Sequence, residues 1–135
     1  MTKKIKTFDV YIAIPYTKDL NGVDSAGDDL RQQRYHWATQ YLAILSAAEM
    51  VAFSPITHSH PMRYFDLPTD WAFWGRIDLR IIEGCHEMHV LTAPGWRDSV
   101  GVQDEIRHAL AKGVIVKYIN HLTHVQEALP KYEDE

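Results

Sequence analysis

Hydrophobic residues alternate along the chain between two kinds of block. Nearly continuous apolar runs lie at 8–14, 51–53, 87–92 and 114–119. Between them, apolar positions recur at three- and four-residue spacing. The runs are rich in β-branched and aromatic residues and predict strands buried on both faces of a parallel sheet. Pro15 stops the first, and Ser54-Pro55 stops the second. The spaced segments predict helices. Leu30, Trp37, Tyr41, Leu42, Ile44, Leu45 and Ala48 mark a long one over 28–50. Thr69 is the expected N-cap of a second, over 70–83, closed by Gly84. Asp98 or Ser99 opens a third that runs to Lys112, with Gly113 at its C-cap. Thr123 is expected to cap a last short helix, ended by Pro130. The segment 16–27 is a loop with Asn21-Gly22 and Gly27 as turn signals, 56–68 an irregular connection, and 131–135 a polar, frayed tail.

Strands alternating with helices predict a single domain over 1–135. Its class is three-layer α/β: a flavodoxin/Rossmann-like parallel sheet of four to five strands with helices on both faces. No repeat, linker or low-complexity tract interrupts it. In such a sheet a ligand binds beyond the carboxyl ends of the strands, where the strand order reverses. Those ends carry Pro15-Tyr16, Ser54-Pro55 and residues 93–99.

Composition narrows the partners. The 135 residues are 46% hydrophobic and 24% charged, which excludes a disordered tail or a fibre. The net charge of −4 lacks the basic footprint that duplex nucleic acid needs. A single cysteine, Cys85, excludes an internal disulfide framework and fits a reducing compartment. No apolar run approaches the roughly 20 residues of a membrane span. Lys3, Lys4 and Lys6 precede Val10 to Ile14, but that run is too short for a signal peptide and has no small-residue cleavage site. A cytoplasmic protein with no membrane partner is expected.

Two segments carry candidate chemistry. Ser99-Val100-Gly101-Val102-Gln103-Asp104-Glu105 follows the third strand and opens a helix. Helix N-termini favour anions, so Glu105 is expected to stay ionised, and a positioned carboxylate can attack an anomeric carbon. The local pattern alone favours the plainer reading, a glutamate that complements the helix dipole. In Trp71-Ala72-Phe73-Trp74-Gly75-Arg76-Ile77-Asp78, the residues Trp71, Trp74 and Asp78 share one helix face. Two indoles can sandwich a heterocycle while the acid addresses a ring nitrogen. The plainer reading packs the indoles into the core and pairs Asp78 with Arg76 or Arg80; an acid sharing a face with two large aromatics tips the balance toward the ligand.

Eight histidines invite a metal, but none stands in a His-Glu-x-x-His pattern, and Cys85 has no cysteine partner. No metal and no cofactor are expected. His58 and His60 are placed at the pocket or as caps of its loop. Phosphate-loop, dinucleotide and serine-hydrolase motifs are missing from the sequence.

Taken in order, Tyr11-Ile12-Ala13-Ile14-Pro15-Tyr16, Asp78 and Ser99-x-Gly101-x-x-x-Glu105 resemble the nucleoside 2-deoxyribosyltransferase superfamily. More closely, the chain is similar to a small uncharacterised family of phage and bacterial proteins within it. That similarity rests on Ser54 to Pro61, Leu67 to Trp74 and Pro94-Gly95-Trp96. The resemblance implies that Glu105 is the nucleophile of a covalent glycosyl–enzyme intermediate. It implies that Asp78 is the acid near base and sugar, and that Tyr11 orients the nucleophile. Ser99 matches a serine that contacts a 5′-phosphate in the hydrolase branch. Tyr16 and Gly101 fall with the substrate-binding residues, beside Trp71, Trp74, His58 and His60. A homo-oligomer, dimer or larger, is implied as well.

The expected activity is cleavage or transfer of the N-glycosidic bond of a nucleoside or nucleoside 5′-monophosphate. Two rivals stand beside it: a non-catalytic module that binds a nucleotide-like metabolite, and an α/β interaction protein with a vestigial site.

Overall fold

A computed structural model describes residues 5–17 and 26–128. Strand β1 (Phe8–Ala13) leads to helix α1 (Asp28–Ala47), β2 (Ala52–Phe53), α2 (Pro55–Ser59) and a 3-10 turn (His60–Tyr64). Helix α3 (Trp71–Ile82), β3 (Cys85–Leu91), a second 3-10 turn (Trp96–Asp98), α4 (Val100–Ala111) and β4 (Ile115–Ile119) follow. The four strands form one all-parallel sheet in the order β2-β1-β3-β4. The α/β class with four strands is thus as the hydrophobic pattern predicts.

Side chains alternate across the sheet and build two cores. Val10 and Ile12 of β1 pack with Ala38, Tyr41 and Leu45 of α1. Tyr11 and Ala13 turn to the other face, against Ile82 of α3 and Val102, Ile106 and Ala109 of α4. The chain leaves β1 for β2 on one side and returns to β3 on the other, so the strand order reverses between β1 and β3. Their carboxyl ends splay the following loops apart and leave a crevice there. Arg34 braces that edge. Buried on α1, it donates to Tyr16 O at 3.0 Å and Pro94 O at 3.3 Å, tying the ends of β1 and β3 together.

Several expected boundaries move. Helix α1 ends at Ala47, because Glu49 takes a left-handed φ of 64° and Met50 N–H closes back on Leu45 O. The cap of α3 falls on Asp70, not Thr69, and makes no side-chain cap bond. Gly84 does follow the end of α3, its N–H on Ile81 O at 2.9 Å, but without a left-handed φ, and its carbonyl takes the N–H groups of Thr7 and Phe8. Strand β3 begins at Cys85 instead of Glu87. The segment 56–68 is not irregular throughout: Ser54 Oγ accepts Thr57 N–H with Pro55 at the first helical position, and a helical turn starts there. The last helix, from Thr123, does not form. Asn120 Oδ1 takes Leu122 and Thr123 N–H, and Gln126 bridges back to Ile119 antiparallel. Asn21-Gly22, Pro130 and the tail lie outside the described residues.

Candidate functional site

A cavity of about 360 Å³ opens at this crevice, within the range of roughly 300–1,000 Å³ typical of small-molecule sites. Its lining comes from the segments after β1, β2 and β3 and from α3. It gathers Tyr16, Trp71, Trp74, Asp78, Ser99, Gly101 and Glu105. Ile14 and Glu105, 91 residues apart in the chain, both line it because the parallel strands end at one edge.

Glu105 is buried, and Tyr11 is fully enclosed behind it on β1. The Tyr11 hydroxyl donates to Glu105 Oε2. Helix α4 begins at Val100 with Ser99 as N-cap, its Oγ accepting Val102 N–H at 3.2 Å. Glu105 is therefore the sixth residue of α4, beyond the first turn where the dipole acts strongly. The expectation that the helix terminus keeps it ionised fails. Burial, reinforced by the Asp78 charge, pushes its carboxyl well above the usual range, against the opposing pull of the Tyr11 bond.

Asp78 is also buried, and desolvation raises its carboxyl to about 7. Among the described residues it makes no ion pair with Arg76 or Arg80. Arg76 instead lies over the Phe73 ring, at 5.4 Å from its centroid. The Asp78 carboxyl is left facing the cavity. Two buried carboxyls acting on one space hold at least one proton near neutrality. One can then give a proton while the other accepts charge or attacks.

The two indoles play different parts. Trp71 Nε1–H donates to Asp104 Oδ2 at 2.7 Å. Its ring lies against two glycines: a Cβ on Gly75 would fall 2.9 Å from Trp71 Cε2, and one on Gly101 3.3 Å from Cε3. Trp71 is thus a wedge that seats α3 on α4 and so sets Asp78 opposite Glu105. Gly101 serves that wedge as well as lining the cavity. Trp74 is tied by Nε1–H to Pro68 O at 2.8 Å and forms part of the rim.

Tyr16 is held from behind. Its hydroxyl bonds His60 Nδ1, and His60 Nε2 bonds Gln32 Oε1 at 2.9 Å. The His60 ring stacks on Tyr35, with centroids 4.4 Å apart. Burial keeps His60 neutral by lowering its pKa, which suits an imidazole that accepts at Nδ1 and donates at Nε2. His60 therefore supports the wall without lining it. His58 is exposed on α2, its ring 5.8 Å from Phe53, and lies outside the lining.

Sequence reasoning did not single out Arg31, Arg34, Arg63 or Asp104. Arg34 had a signal: it falls in the apolar stripe of α1, between Leu30 and Ala38. Among the described residues no group of three or more His, Cys, Asp or Glu is placed to hold a metal. None of the helices described is long and apolar enough to cross a membrane.

The family model described as Domain of unknown function (DUF1937) matches residues 8–121, so the chain belongs to that family. The match spans the sheet and every site residue named above. No curated protein matches the chain.

Proposed function

We propose that this protein cleaves or transfers the N-glycosidic bond of a nucleoside or nucleoside 5′-monophosphate through a glycosyl ester on Glu105. One observation carries the reading: the buried acids Glu105 and Asp78 face one cavity, with Tyr11 hydrogen-bonded to the first. The motif resemblance of Tyr11, Asp78 and Ser99-x-Gly101-x-x-x-Glu105 to the nucleoside 2-deoxyribosyltransferase superfamily supports it.

In the first step the ionised Glu105 attacks C1′ and the C1′–N bond breaks. The bonding pair leaves with the base, and protonated Asp78 gives its proton to the base nitrogen. A carboxyl held near pH 7 suits this acid role at neutral pH. Positive charge building on the sugar favours ionised Glu105 in the transition state, and the Tyr11 bond favours the same form. In the second step water or an acceptor base attacks C1′, and the ester bond to Glu105 breaks. Asp78, now ionised, takes the proton from that nucleophile.

The test is a panel of nucleosides and their 5′-monophosphates, read as free base by chromatography. The reading expects release by wild type and none by Glu105→Gln. No release across the panel would overturn it. A ligand that raises the melting temperature without any release would favour the binding module, whose pocket also needs only neutral, buried acids. The same proposal places the protein in the cytoplasm as a dimer or larger assembly.

A further inference from the structure

Asp104 precedes Glu105 on α4 but does not line the cavity. Consecutive helical residues point about 100° apart, so while Glu105 turns inward to Tyr11, Asp104 turns aside to α3. Both oxygens of its carboxyl are taken. Oδ2 accepts Trp71 Nε1–H at 2.7 Å, and Oδ1 accepts from the exposed Arg107. Trp71 is the first residue of α3, and the Asp70 cap before it makes no side-chain cap bond. Gly75 and Gly101 press on the indole, but van der Waals contact alone lets a ring slide. A bond to a charged acceptor fixes its edge. Trp71 and Asp78 share one face of α3, two turns apart, so what holds the first against α4 also places the second.

The same carboxylate has a cost. Asp78 from α3 and Asp104 from α4 both disfavour a charge on Glu105, and the Tyr11 hydroxyl from β1 favours it. Arg107 sits on Asp104 from the solvent side and offsets that cost. We propose that Asp104 is a positioning residue of the acid pair: through the Trp71 indole it pins the start of α3 to α4 and sets Asp78 against Glu105, while Arg107 offsets the charge this brings beside Glu105. The placement stands on the geometry alone; its effect on turnover rests on the glycosidic reading.

Two readouts on the full chain test it, and only the second needs turnover. Carboxyl-carbon and indole-nitrogen NMR follow Glu105 and the Trp71 N–H directly, and base release follows the chemistry. Asp104→Asn keeps an acceptor for the indole and removes the charge. Its Trp71 N–H should stay protected from exchange, and Glu105 should titrate lower by about half a pH unit or more. Arg107→Ala keeps the bond, leaves the charge uncompensated and should move the Glu105 titration the other way. Asp104→Ala loses the bond. Its Trp71 N–H should exchange freely, and base release should fall at least about tenfold, where Asp104→Asn keeps most of the wild-type rate at its own pH optimum. Circular dichroism checks that all three fold. Glu105 titrations unmoved in both Asp104→Asn and Arg107→Ala overturn the proposal, as does a folded Asp104→Ala that keeps the exchange protection. The expected titrations and a freed indole, without base release from any substrate, would sink the glycosidic chemistry and keep the placement. Base release undiminished in folded Asp104→Ala would sink the placement alone.

Discussion

The Tyr11 hydroxyl donates to Glu105 Oε2 across 94 residues of sequence, and both side chains are buried. Strand β1 thereby fixes the carboxylate that α4 presents. The bond favours the ionised form of Glu105, while burial and Asp78 oppose it. Tyr11 is a positioning residue, and its effect should appear in a pH profile. The attacking state has Glu105 ionised and Asp78 protonated, so base release should follow a bell-shaped pH profile whose limbs belong to the coupled pair. Tyr11→Phe should move one limb of the bell to higher pH by about 1–2 units, the equivalent of one hydrogen bond to a charged group. Both limbs staying in place while the whole profile shrinks would contradict this.

Asp78 links the site to stability. Its carboxyl titrates near 3.9 when unfolded and at about 7 in the fold. A raised folded pKa contributes stability below the unfolded value and loses it as pH rises toward the folded one. Asp78→Asn does not titrate there, and it also relieves the charge that pushes Glu105 up. The melting temperature of Asp78→Asn relative to wild type should therefore climb between pH 4 and pH 7. From Asp78 alone the slope is at most about 1.4 kcal/mol per pH unit, which at about 4 °C per kcal/mol for a chain of this size is roughly 5–6 °C per pH unit. Parallel melting curves across that range would refute the assignment. The same variant should slow base release most for poorly leaving bases.

Trp71 is wedged between Gly75 and Gly101 and bonded to Asp104. Gly75→Ala places a methyl group 2.9 Å from the indole, so the ring must shift. A loss of about 1–3 kcal/mol is expected in denaturant melts, as for other overpacked contacts. Turnover should fall too, since the wedge sets α3 against α4. The double variant Gly75→Ala with Trp71→Phe trims the clash and should recover part of the stability. Two additive losses would show that the indole is not what the methyl strikes.

Much of this was legible beforehand because hydrophobic runs and helical stripes report burial directly. The four strands, α1, α3 and α4 all follow from that pattern. The short helix at Pro55 does not, because Ser54-Pro55 ends a strand and begins a helix at once, and the same two residues carry both signals. Thr123 failed as a cap because Asn120 captures the same backbone donors in a turn. At the site, Tyr11, Asp78, Ser99 and Glu105 lie at or directly behind the cavity. His58 does not line it, and His60 acts through Tyr16. The protonation of Glu105 is not legible, because helix position is visible in sequence and desolvation is not.

The central claim is a covalent bond between Glu105 and a sugar. A 2′-fluoroarabinosyl nucleoside with a good leaving base tests it most directly, because fluorine slows both formation and breakdown of the intermediate by destabilising the oxocarbenium-like transition state. Intact-mass and peptide mass spectrometry of the incubated protein should show the wild-type chain gaining one fluorosugar, located on Glu105 and absent from Glu105→Gln. Base release by wild type that continues undiminished in Glu105→Gln, or a fluorosugar found on another residue, would contradict the account.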